Sequence, residues 1–283
     1  AGDQTLRQQP SGISSAYFQL SFAGSGIKTL SAGTTQVANY LLLNTNGYVD
    51  AGASNVLYVT NNATTSVFRN QGHVVGKLRR NITGTGNYDF NVGSTTAHQL
   101  ATVGITSALS ATNLTAEFLS SAAGTTGLPL ADGAKTWTDL NTTGLWEINP
   151  NAALSSGTYN LSVTPVGFGL PTIGNFTIGK RDDASSAWTL GSIYSAGTAT
   201  TAERTGYTAF SQFGILMIST PFPVEMSLLK AKPETDAIAL SWEVFREQNN
   251  AGWQIERMDQ TGFQNLRWIP GRGNAHDFKT YRY

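Results

Sequence analysis

Short runs of Val, Leu, Ile, Phe and Tyr alternate with Thr, Ser and Asn between positions 1 and 220, and no stretch sustains an apolar helical repeat. A period of two puts one face of each run in a core and the other in water, so the pattern predicts strands. Candidate strands are 16–22, 40–43, 56–60, 73–80, 88–92, 101–105, 114–119, 145–148, 158–164, 175–180, 188–190 and 210–218. Turn formers separate them, for example Thr45-Asn46-Gly47, Thr83-Gly84-Thr85-Gly86-Asn87 and Ser155-Ser156-Gly157. The chain therefore reads as all-β, built of sandwiches, rolls or solenoid coils.

Between positions 1 and 80, Lys28-Thr29-Leu30, Tyr40 to Leu43, Gly47-Tyr48-Val49-Asp50 and Asn55 to Val59 follow one another at intervals of about ten residues. That spacing predicts a β-roll or solenoid-like region over 1–80. No repeated motif stands out, and an ordinary sandwich remains the alternative. Positions 81–220 read as a β-sandwich. Charge changes the picture after that: 1–220 carries ten basic and ten acidic side chains, and the much shorter 221–283 carries eight of each. The shift falls at Pro221-Phe222-Pro223, where two prolines lack ladder donors, and marks a third domain, 221–283.

Several phrases carry a resemblance. Gly76-Lys77-Leu78-Arg79-Arg80, the run Gly86 to Gly93, the run Gly179 to Leu190 and the run Gly206 to Gly214 resemble stretches of very large secreted surface proteins of the Bacteroidota. The ordered string Pro223-Val224-Glu225, Leu240-Ser241-Trp242 and Glu247 to Arg257 is similar to the fibronectin-type-III-like module that precedes a type IX secretion sorting domain in such proteins. The resemblance implies export after signal-peptide cleavage, an extracellular or cell-surface location, and a small fibronectin-III/Ig-like sandwich over 221–283. The opening Ala1-Gly2-Asp3 fits a mature N-terminus.

A fibronectin-like domain has seven strands, and five are countable here, at 224–232, 237–244, 253–258, 263–269 and 278–283. The module is thus expected to lack its last strands and to leave an open edge beside an apolar face carrying Trp242, Trp253 and Ile255. At about 25 cal/mol per Å², leaving ~200 Å² of such a face wet forfeits about 5 kcal/mol. The face is a candidate acceptor for a strand from another copy. The candidate donor is the N-terminal run in which Phe18, Leu20 and Phe22 alternate with Tyr17, Gln19 and Ser21. The plainer reading of the same run is the first strand of its own domain.

Candidate chemistry is sparse. The three histidines, His73, His98 and His276, are far apart in sequence, there is no cysteine, and no HExxH, GxSxG or Walker glycine loop occurs. Asp182-Asp183 beside Lys180-Arg181 reads as a solvated turn. No cofactor or metal is expected, and the chain is expected not to be an enzyme. The formal net charge is +0, which draws the chain to neither nucleic acid nor an anionic membrane, and no apolar run approaches the ~20 residues of a membrane span. Of the six tryptophans, Trp137 lies in an expected loop between Lys135 and Asp139 and is the candidate glycan contact. Two functions stay open: an extracellular structural or adhesive protein whose partners are further copies of itself or other surface proteins, including a fibre joined by strand addition, and a carbohydrate-binding accessory module of a secreted enzyme, with polysaccharide as partner.

Overall fold

In the N-terminal strands every second side chain points into a narrow core, and the backbone winds so that each apolar row lands on the row one coil earlier. The computed structural model describes residues 2–7, 16–218, 225–227, 229–260, 262–275 and 278–283. Pro221-Phe222-Pro223 and His276 lie outside them. The described residues hold strands and no helix, so the all-β expectation is borne out. The chain divides into two units, 1–218 and 219–283.

The first unit begins with β1 (Gln4–Leu6), β2 (Ala16–Gly24), β3 (Lys28–Leu30), β4 (Thr34–Thr45), β5 (Val49–Val59), β6 (Val67–Arg69) and β7 (Val74–Asn81). All their mutual pairings are parallel. Gln4, Lys28, Val49 and Val74 lie in register on one face. Ala16, Gln36, Tyr58 and Arg79 do so on a second, and Leu20, Leu41 and Val67 on a third. This is a three-sided solenoid, in which one full coil carries the chain from Lys28 to Val49 and the next from Val49 to Val74. The shorter interval in the sequence is the spacing of strands within a coil, so the expected one-strand rung is corrected to a coil of three. Leu41, Leu43, Val49, Leu57, Val59 and Val74 fill the interior without solvent exposure.

One corner of each coil turns at a glycine: Gly2, Gly26, Gly47 and Gly72. Gly26 has φ +81° and a Cβ there would lie 2.7 Å from the carbonyl carbon of Gly2; a Cβ on Gly47 would lie 2.8 Å from the Gly26 carbonyl oxygen. Stacked corners this close admit no side chain. Just past each corner the ladder closes, as Lys28 N donates to Tyr48 O at 3.1 Å and Val49 N to His73 O at 2.8 Å.

The rest of the unit comprises β8 (Gly86–Gly93), β9 (His98–Ser107), β10 (Asn113–Leu119), β11 (Leu130–Asp132), β12 (Lys135–Trp137), β13 (Asp139–Pro150), β14 (Thr158–Val163), β15 (Phe176–Arg181), β16 (Ile193–Ser195), β17 (Ala202–Tyr207) and β18 (Ser211–Met217). From β7 the sheet continues as β7-β10-β13-β18-β15 on one side and β8-β9-β14-β17-β16 on the other. The two arms face each other. Trp146 on β13 donates from Nε1 to Gln99 O on β9 at 3.0 Å, and Tyr207 on β17 meets Phe213 on β18 edge-on at 5.4 Å. Solenoid and sandwich share one apolar core. A domain boundary at residue 80 is therefore corrected: β7 runs through it and serves both parts.

Arg80 makes that junction. Fully buried, it donates from Nη1 to Asp89 O at 2.7 Å and from Nη2 to Ala63 O, Thr64 O and Ser66 Oγ, tying the loop after β5 to β8. Burial pulls its pKa down to about 10, and the carbonyl ring offsets the cost of holding the charge.

The second unit comprises β19 (Glu225–Met226), β20 (Lys230–Pro233), β21 (Ile238–Asp259), β22 (Gly262–Ala275) and β23 (Lys279–Arg282). The first half of β21 pairs with β19, β20 and β23, and its second half with β22. Trp242 and Trp253 both lie on this one strand, and if it ran straight they would stand about 35 Å apart. Their rings are 5.5 Å apart, so β21 turns a corner and puts its halves in two layers. Register shifts between Glu247, Asn250 and Gly252 mark the bend. Glu247 holds it, accepting from Asn250 Nδ2 at 3.0 Å, Arg272 N at 2.8 Å and the Tyr281 hydroxyl.

Candidate functional site

The third face of the solenoid is a parallel ladder of β2, β4 and β6. Alternation sends Leu20, Leu41 and Val67 inward, which forces Gln19 and Tyr40, then Ser21, Leu42 and Phe68, outward in neighbouring rows. Tyr40 is 38% exposed and Phe68 47%. Their rings stand in contact, 5.7 Å apart and tilted by 54°, and with Leu42 they give the apolar part of the lining of a groove of about 560 Å³ that Gln19, Ser21 and Asn70 also line. Amide pairs bridge successive coils beside it: Asn70 Nδ2 donates to Asn44 Oδ1 at 2.9 Å, and Asn61 Nδ2 to Asn39 Oδ1 at 3.1 Å. The one charged side chain lining the groove, Arg69, donates from Nε to Gly72 O at 2.7 Å. The arrangement offers aromatic rings, neutral hydrogen-bonding groups and one guanidinium on paired strands.

The residues singled out from sequence are distributed differently. Tyr17, Phe18, Leu20 and Phe22 all lie on β2, paired in parallel with β4 of the same chain. Phe22 is buried in the core, Leu20 packs against it, and Phe18 is 70% exposed at a register shift. The donor-strand role is thereby corrected: the strand is already spent within its own solenoid, and withdrawing it would strip the first coil. Trp242, Trp253 and Ile255 do come together, but as a core. Trp242 stacks on its cross-strand partner Tyr281 at 5.5 Å and 10°, and Trp253 closes over both. They are corrected from a bare acceptor face to the interior of the second unit. Met258, Phe263 and Trp268 are among the apolar side chains that stay uncovered there.

Trp137 is not a surface platform. It is fully buried, its Nε1 donates to Asp132 Oδ2 at 3.0 Å, and its ring packs 5.7 Å from Tyr194. The glycan contact assigned to it is corrected, because the expected loop is a hairpin of β11 and β12 clamped from far along the chain. Arg204, itself fully buried, donates to the same Asp132 oxygen at 2.8 Å and to Ser192 O at 2.7 Å. Burial of Asp132, which opposes ionisation, is outweighed by the hydrogen bonds from Arg204 and Trp137, so its carboxyl sits below the ordinary value.

Other titratable clusters are internally satisfied or shielded. Glu117 and Glu147 are directly opposed across β10 and β13; Lys77 Nζ lies 3.8 Å from Glu117, and Glu147 accepts from Gln212 at 2.8 Å and Asn149 at 2.9 Å. Burial nevertheless raises the Glu117 carboxyl. His73 and His98 have ring centroids 5.8 Å apart. Burial depresses both, and neighbouring Arg69 and His73 help push His98 down to about 3. No group of three or more His, Cys, Asp or Glu suited to a metal occurs among the described residues. Lys180 pairs with Asp182 at 2.8 Å, while Asp183 accepts from Ser185 and Ser186, which hold its carboxyl down at about 2.

Compared with known proteins, the chain matches no family model, no curated relative and no solved structure. The Tyr40–Phe68 groove was missed from sequence because its two walls are distant along the chain and meet only through the coil period. The signal that finds it is the glycine corner: aligning Gly26, Gly47 and Gly72 sets Tyr40 and Phe68 in adjacent coils.

Proposed function

We propose that this chain is an extracellular structural and adhesive protein of a cell surface, of the kind exported by the Bacteroidota, and that it acts through its surface and not by catalysis. The observation that carries the reading is the stacking of coils, which converts a sequence of modest apolarity into a hydrogen-bonded face of aromatic and amide side chains. Fixed strands suit adhesion, since a surface that is ordered before contact loses little entropy on binding. The charged side chains of the interior point the same way: Arg80, Arg204, Asp132 and Glu247 are engaged by the fold's own carbonyls, amides and carboxylates, as structural members and not as reagents. Leu240 to Trp242 and Glu247 to Arg257, which lie in two small layers around Trp242, support the likeness to an exported fibronectin-like module.

Assembly of copies by donation of β2 is disfavoured, because Phe22 anchors that strand in its own core. Adhesion from the solenoid face is the form of the reading that the geometry supports best. The test is protease treatment of intact source cells. Cleavage of the chain without lysis is expected; full protection until the cells are broken would overturn the surface location.

A further inference from the structure

We propose that the groove between Tyr40 and Phe68 binds a neutral polysaccharide chain, laid across the coils with sugar faces against the two rings. This names the ligand class of the adhesive surface and rests on that reading. Four observations lead to it. Two aromatic rings, 38% and 47% exposed, stand side by side on paired strands, and exposed apolar clusters of this kind mark interaction sites. The rings are tilted by 54° and not stacked face to face, and both line the groove. Sugar rings present apolar C–H faces and a belt of hydroxyls, which the ring walls and the rim of Gln19, Ser21 and Asn70 match. Lastly, the groove carries no acidic side chain, and its one cation, Arg69, is tethered through Nε to Gly72 O, so neutral hydrogen-bonding and apolar groups make up most of the lining.

Size separates this occupant from a protein partner. Eight residues line the groove, whereas a stable protein interface engages about 20–30 a side. A groove of about 560 Å³ is of the size that takes a small-molecule-sized stretch of glycan.

The experiment is retention of the full chain on insoluble cellulose, chitin, xylan and β-1,3-glucan, with alginate as an anionic control. At least one neutral glycan should retain the wild-type protein, with little dependence on salt. Tyr40→Ala and Phe68→Ala should each weaken retention about tenfold, a loss of the size expected for one stacked ring. Tyr40→Phe should keep most of it, and Phe18→Ala, whose exposed ring lies outside the groove, should leave it unchanged. A readout that needs no variant is nitration of Tyr40 by tetranitromethane, which the soluble oligosaccharide of the retained glycan should slow. The proposal is overturned if no neutral glycan retains the chain, if the double variant is retained as well as the wild type, if oligosaccharide leaves nitration unaltered, or if the face proves to be a dimer contact that the double variant dissolves. Each of those results leaves the protease test of surface location standing by itself.

Discussion

The two units solve the same burial problem with different success. In the first, each apolar row is closed by the next coil or by the opposite arm, and Trp146, Phe90, Tyr159 and Phe213 reach full burial. In the second, the buried apolar residues among the described ones are Trp242, Val244, Ile255 and Tyr281, while Ile238, Met258, Phe263, Trp268 and Phe278 remain at least half exposed. Both are made of similar strands. The difference teaches that a strand's apolar content counts only when another layer takes it, and that a corner in one strand is a weak substitute for a second sheet.

The sharpest way to break this comparison is Trp242→Ala. Removing the ring that joins Trp253 and Tyr281 should cost about 3–5 kcal/mol, enough to unfold the second unit while the first melts unchanged. Limited proteolysis and calorimetry read the two transitions, and a joint shift would show that the units are not independent in stability. Arg80→Met comes next: the carbonyls of Asp89, Ala63 and Thr64 lose their donor, and the first unit alone should lose about 3 kcal/mol. Gly26→Ala should then lower the same transition by about 2 kcal/mol, whereas Gly84→Ala, with open space around it, should not.

Acid separates the units most gently. His98 has a folded pKa near 3 against 6.5 unfolded, so the unfolded state binds the proton first and the first unit loses stability as pH falls below about 6.5. In the second unit burial opposes ionisation of Glu247, but hydrogen bonds from Arg272 N, Tyr281 and Asn250 outweigh it and hold the carboxyl below its ordinary value of 4.5. Its contribution is complete above about 4.5 and is lost as pH falls further. Between about pH 7 and 5 the first transition should therefore drop and the second stay; the reverse order would remove the histidine pair from the explanation.

Strand positions were legible wherever alternation was strong, as in β10, where Leu114, Ala116 and Phe118 point one way. The division near 220 was legible from charge. The solenoid's true period was not, because the glycine corners at positions 2, 26, 47 and 72 are unevenly spaced and one small residue per coil is a faint mark. The short strands β1, β6, β11, β12 and β16 were invisible for a related reason: so brief a run cannot display a period of two. Trp137 misled because its burial depends on Arg204, far along the chain, and no local pattern encodes that. The two strands expected at 237–244 and 253–258 run together as β21, since Glu247 satisfies the bend without a turn sequence.

Glycine corners that stack in register make the coil a unit of length. Duplicating or deleting one such segment keeps every interior row facing its own kind, and it neither creates nor removes a sheet edge. Evolution can thus tune how far this surface reaches in whole steps, while the buried arginine at the base continues to weld the stack to its platform.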